Sequence, residues 1–173
     1  MSATTVPVVS SFEGKVAVVT GAGSGLGREY SLALARQGAS VLVNDLGTSV
    51  TGEMTGADSA DAVVAEITAL GGRAVADNSN VAEWSGAESI IESALRTFSR
   101  LDLVVNNAGV NRPSSLVKLT ERDVDAQMDV HLKGTLAVSH FAAAWWASQP
   151  RELGRAIVNT TSAVGLHPVA GGG

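Results

Sequence analysis

The chain has 173 residues, 45% hydrophobic and 17% charged, which is enough apolar material for one core at a length typical of a single domain. Its net charge is −5 and no Lys/Arg run occurs, so it lacks the positive footprint that nucleic acids and anionic membranes require, while a small polar or anionic substrate stays open. Cysteine is absent, which excludes disulfides, thiolate metal sites and a thiol nucleophile, suits a cytoplasmic chain, and sets the expectation that no metal is bound.

Residues 1–11 carry neither a positive n-region nor a long apolar stretch and are expected to form a short flexible tail, with the domain occupying 12–173. No segment holds the roughly 18 uninterrupted apolar residues of a membrane span. Five short runs rich in Val, Ile and Leu then recur: Lys15 to Thr20, Ser40 to Asn44, Arg73 to Ala76, Leu101 to Asn106 and Arg155 to Thr160. They read as buried strands. Segments of helical period separate them: Leu26 to Gln37, Asp58 to Leu70, the stretch carrying Ala87, Ile90, Ile91, Ala94, Leu95 and Phe98, and a long fourth from about Glu121 to Ser148.

Strict alternation of strand and helix implies parallel strands joined by right-handed crossovers, hence a doubly wound α/β sheet covered on both faces. Ligands of such sheets bind beyond the carboxyl ends of the strands, where the strand order reverses. Residues with chemistry should therefore follow each run. Two irregular stretches, Leu46 to Gly56 and Asn111 to Leu119, are positioned to be loops over such a site.

The first strand runs into Thr20-Gly21-Ala22-Gly23-Ser24-Gly25-Leu26-Gly27 and a helix begins at once. Glycines there allow a sharp turn and close approach to a pyrophosphate, which the free N–H groups of the helix start would bind. Asp45 closes the second strand, where a carboxylate can accept hydrogen bonds from both hydroxyls of an adenine ribose and would repel a 2′-phosphate. NAD is thereby favoured over NADP; the plainer alternative is an Asp that caps a turn, and Arg28 nearby adds a positive charge. The fourth strand ends in Asn106-Asn107-Ala108-Gly109, by itself only a turn signal.

Taken together, T-G-x-x-x-G-x-G after strand one, N-N-A-G after strand four and Ser162 after strand five resemble the short-chain dehydrogenase/reductase family, over about Phe12 to Gly165. Val43-Asn44-Asp45-Leu46-Gly47 and Val130-His131-Leu132-Lys133-Gly134 are most similar to the branch acting on (3R)-hydroxyacyl thioesters. The resemblance implies a Rossmann-type fold in which Gly21, Ser24, Gly25, Leu26 and Gly27 hold the pyrophosphate and Asp45 holds the adenine ribose. Asn80 and Val81 would flank adenine, and Asn107, Ala108 and Gly109 would border the inner ribose. Ser162 matches the serine that hydrogen-bonds the reacting oxygen, and His131 stands where most members carry an Asn supporting a water-linked proton relay; packing is the competing role for that histidine. By the same resemblance the fourth helix lies in a dimer contact of a homo-oligomer, either dimer or tetramer, although adjacent Trp145 and Trp146 would ordinarily put at least one ring in the core.

The implied function is NAD-dependent interconversion of a secondary alcohol and a ketone, with a 3-hydroxyacyl thioester or a hydroxysteroid as candidate substrates. In the family a Tyr roughly thirteen residues past the serine, helped by a Lys one turn on, moves the proton. That count falls beyond Gly173, and Tyr30, the single tyrosine, has Leu34 four residues on. A chain of this extent would be inactive by itself, its sheet would stop after the fifth strand with an open edge that invites association, and a non-catalytic dinucleotide-binding or interaction module is the alternative.

Overall fold

The computed structural model describes residues 12–49, 51–53, 59–163 and 167; the expected tail at 1–11 lies outside them. Each apolar run is a strand: β1 (Val16–Thr20), β2 (Ser40–Asn44), β3 (Arg73–Asp77), β4 (Leu103–Asn106) and β5 (Ala156–Asn159). All pairings are parallel, in the order β3-β2-β1-β4-β5. The order therefore reverses at β1, which places a crevice between the carboxyl ends of β1 and β4.

Two helices cover each side. On one face, α3 (Trp84–Phe98) and α5 (Thr135–Ser148) press Ile90, Ile91, Ala94, Ala137, Val138 and Ala142 onto Val18, Leu42 and Val104. On the other, α1 (Gly25–Arg36) and α2 (Ser59–Ala69) press Leu32, Ala60, Val63 and Ile67 onto Val19, Val41, Val43 and Val105. Neighbouring strand residues thus enter opposite cores, which is why these strands read as unbroken apolar runs rather than alternating ones. Burying each such side chain contributes roughly 1.5–3 kcal/mol before the entropy of ordering it is subtracted.

Two expectations need correction. The third and fifth runs are expected as buried strands, yet β3 has no fully buried residue, and β5 is exposed along its whole length, with Ile157 36% and Val158 49% accessible. They occupy the two edges of the five-stranded sheet, and residue types alone do not say where a strand stands in the order. The long fourth helix is likewise not uniform. α4 (Glu121–Gln127), opened by a Thr120/Asp123 capping box, passes into a π-helical stretch, Met128–Gly134, before α5 begins. That wide turn re-aims the residues it carries, His131 among them.

Candidate cofactor and active site

A pocket of about 360 Å³ opens at the carboxyl ends of β1, β2 and β4. Gly21 and Ser24 border it from the first turn, Asn44 and Asp45 from the end of β2, Asn80 and Val81 from the segment after β3, and Asn107, Ala108 and Gly109 from the end of β4. Eight of the sequence-derived site residues are therefore brought to one cavity; Asn44 joins them unforeseen. Gly25, Leu26, Gly27, His131 and Ser162 are not in its wall. Leu46, Thr48, Ser49 and Gly52 from the first irregular stretch and Val110 and Arg112 near the second do border it, as loops over a site would.

The turn into α1 is shaped to receive an anion. Ser24, extended at the N-cap, makes no side-chain cap hydrogen bond, and no acid lies in the first turn, so no side chain of the helix itself offsets its positive end. Gly27 has a packing role instead: a Cβ there would lie 2.6 Å from Asn107 Nδ2 and 2.9 Å from Ala22 Cα. Its missing side chain lets α1 close on the end of β4. Leu26 points outward, 61% exposed.

The end of β4 is fastened to the end of β1 by a residue whose role the motif alone did not disclose. The buried Thr20 hydroxyl accepts from the backbone N–H groups of Asn107 and Ala108, both at 3.1 Å. Asn107 Nδ2 in turn donates to the carbonyl oxygens of Thr20 and Gly21, each at 3.1 Å. The buried Asn106 amide donates to Ser139 Oγ at 3.0 Å and Asn159 Oδ1 at 2.9 Å, tying β4 to α5 and β5.

Asp45 is held from three sides. Gly23 N donates to Oδ2 at 2.9 Å, while Gly47 N at 2.8 Å and Ser59 Oγ at 3.1 Å donate to Oδ1. The turn-capping role and a place in the pocket wall therefore coexist. Arg28 does not reach this carboxylate; its Nη2 is taken by both oxygens of Glu66, at 2.6 and 2.7 Å, and Nη1 pairs with Glu29. After β3, Asn80 Oδ1 accepts from Ala82 N at 3.0 Å in a local turn, and Val81, largely buried, lines the pocket beside it.

His131 lies on the π-helical stretch with its ring over the loop after β4. Nε2 is 2.8 Å from the Val110 carbonyl oxygen and 3.3 Å from Val110 N, and the side chain is exposed rather than packed in a core. A Cβ on Gly109 would be 2.7 Å from His131 Cε1, so this glycine makes the ring's position possible. Ser162 follows β5 at the same end of the sheet and is exposed. Just before it, Thr160 N donates to Asn106 O at 2.9 Å and Thr160 Oγ1 to Asn107 Oδ1 at 3.4 Å. Trp145 and Trp146 both pack partly buried against the α3/α5 core, and Trp146 Nε1 donates to Leu101 O at 2.8 Å. Among the described residues no cluster of three or more His, Asp or Glu could hold a metal ion, and no helix is long and apolar enough to cross a membrane.

Comparison with known proteins matches this geometry to a family. A family model described as short chain dehydrogenase matches residues 15–173. The peroxisomal multifunctional enzyme type 2 of Drosophila melanogaster is 47% identical over 156 residues, covering 90% of this chain and 25% of that protein. A short chain dehydrogenase from Mycobacterium avium superposes with TM-score 0.85 at 44% identity, over 94% of this chain and 59% of that one. One from Burkholderia cenocepacia J2315, solved in complex with NADP, superposes with TM-score 0.80 at 34% identity, over 93% and 60%. The chain thus spans a quarter of the curated relative's length and about three fifths of each solved structure.

Proposed function

We propose, from the premise that this chain belongs to the short chain dehydrogenase family, that it is the cofactor-binding part of an NAD-dependent oxidoreductase interconverting a secondary alcohol and a ketone. The observation that carries the reading is Asp45, a carboxylate fixed at the end of β2 in the wall of a pocket that also holds Gly21, Ser24 and Asn107 to Gly109. A carboxylate accepts hydrogen bonds from two ribose hydroxyls and repels a 2′-phosphate. Arg28, the cation that could have offset that repulsion, is already neutralised by Glu66.

The residues present fit a nicotinamide dinucleotide: an uncapped helix start for the pyrophosphate, Asp45 for the adenine ribose, Asn80 and Val81 beside the adenine, and Asn107 to Gly109 along the inner ribose. The bound cofactor supplies a hydride acceptor or donor. Ser162, at the same end of the sheet, would donate to the oxygen of the substrate as charge develops on it. His131, exposed beside Val110, can accept and donate a proton and would serve a relay toward solvent. The substrate class is a 3-hydroxyacyl thioester or a hydroxysteroid. Self-association belongs to the same reading: Val124, Met128, Leu132 and Leu136 are exposed at intervals of four residues along the run from α4 to α5.

Fluorescence titration of the chain with NADH and NADPH tests the cofactor assignment, and NADH formation on a panel of 3-hydroxyacyl thioesters and hydroxysteroids, measured with a protein in which this stretch is joined to the family's Tyr- and Lys-bearing segment, tests the activity. Tighter binding of NADH with turnover on one panel member is expected. Tighter NADPH would overturn the cofactor assignment. NADH binding without turnover on any member would favour a second reading, a dinucleotide-binding module.

A further inference from the structure

The carboxylate of Asp45 offers about four lone-pair positions, and three are already filled. Oδ1 receives both Gly47 N and Ser59 Oγ, and Oδ2 receives Gly23 N, so the position left over is on Oδ2. The three donors come from separate pieces of chain: the turn into α1, the loop after β2, and the first residue of α2. Two are backbone groups that any residue would supply. Ser59 is the only side chain among them.

Ser59 also closes the space beside the carboxylate. A Cβ on Gly23 would lie 2.5 Å from Ser59 Cβ and 2.8 Å from Asp45 Cγ, so not even a methyl group fits between the phosphate-binding turn and this pair. Ser59 itself stands outside the pocket wall and acts through the carboxylate, which lies in it.

We infer that Ser59 is a positioning residue for cofactor selection: its hydroxyl fixes the Asp45 carboxylate in the pocket wall, leaving one Oδ2 position to accept from a ribose hydroxyl and the charge aimed against a 2′-phosphate. The inference rests on the dinucleotide-binding reading above. It assigns a specificity role to a residue fourteen positions from Asp45 that belongs to no motif.

The test is fluorescence titration of the purified full chain with NADH and with NADPH, reading the ratio of the two affinities. Ser59→Ala is expected to narrow the preference for NADH by about five- to tenfold, the scale of losing one hydrogen bond to a charged group that keeps two others. Ser59→Cys, similar in size but a weak donor, should narrow it less, and it carries the comparison if Ser59→Ala does not fold. In an Asp45→Ala background, Ser59→Ala should add nothing to the ratio. A purely structural Ser59 would weaken both cofactors together and leave the ratio unchanged, which overturns the inference. So does an effect of equal size with and without the Asp45 carboxylate. Wild-type chain that binds neither dinucleotide overturns the proposed function first, a result distinct from an unchanged ratio.

Discussion

Asp102 is a carboxylate taken almost wholly out of water, 2% exposed, and its charge persists only because of its partners. Val16 N donates to Oδ2 at 2.9 Å, Arg100 grips both oxygens at 2.7 Å, and Lys15 Nζ reaches Oδ1 at 3.2 Å. Burial alone would raise its pKa; Arg100, the Val16 N–H and Lys15 outweigh that and hold it below the ordinary carboxylate value. A pKa lower in the folded than in the unfolded state gives stability that is present above the unfolded value and lost as pH falls through the folded one. Asp102→Asn should therefore cost about 2–4 kcal/mol near neutral pH, with Arg100 left facing an amide, and should flatten the loss of stability below about pH 4. Urea unfolding at stepped pH measures both, and an acid limb unchanged in the variant would assign that limb to another carboxylate. At the opposite end of the sheet, Gly109 and His131 should behave as one unit. Gly109→Ala puts a methyl 2.7 Å from His131 Cε1, and an exposed ring can swing away at modest cost, breaking its contact with Val110. The two substitutions should be non-additive by roughly 0.5–1 kcal/mol in a double-mutant cycle on NADH affinity, Gly109→Ala costing little once His131→Ala is present. Simple additivity would mean that the ring does not respond to residue 109.

Among elements, α5 is anchored at its far end through Trp146, whose Nε1 donates to the carbonyl of Leu101 just before β4. Trp146→Phe keeps most of the apolar contact but orphans that carbonyl, so unfolding should be easier by about 1–2 kcal/mol at an unchanged denaturant slope. A changed slope would point to α5 detaching rather than losing one bond. The elements differ in how legible they were. β1, β2, β4 and the helices against them were readable because their residue periods are local properties that matched the burial later found, whereas β3, at the other edge from β5, is only partly buried. The π-helical stretch was not, since Met128 to Gly134 keeps an ordinary helical composition and its wider turn is a feature of the folded chain, where the ring of His131 fits against Gly109. β5 was found but its exposure was not, because Ile157 and Val158 look the same in a central strand as at an edge. The site divides in the same way. Gly21, Asp45 and Asn107 to Gly109 stand at predictable strand ends, whereas Thr20, Ser59 and Arg112 matter through partners far along the chain, such as Thr51 O, which accepts from Arg112 Nε at 3.2 Å.

For the molecule as a whole, the parallel sheet separates stability from binding along its own strands. The N-terminal end of β1, at Val16, meets the ion cluster of Asp102, Arg100, Lys15 and Glu152; its C-terminal end, at Thr20, enters the pocket. Five residues of strand put roughly 13 Å between those ends, beyond the range at which substitutions usually interact. A ligand binding only the folded chain stabilises it by about 2.7 kcal/mol at a concentration one hundred times its Kd, which for a domain of this size raises Tm by roughly 5–10 °C. NADH should produce such a shift and NADPH a smaller one at equal concentration. Asp102→Asn should lower the ligand-free Tm and leave the NADH-induced change in unfolding free energy as it was, because the substitution touches none of the residues that line the pocket. If that change is lost along with the ion cluster, the two ends of the sheet are energetically coupled. Asp45→Ala, which removes the acceptor of three hydrogen bonds, should lower the ligand-free Tm as well, but unlike Asp102→Asn it should also abolish most of the NADH-induced change.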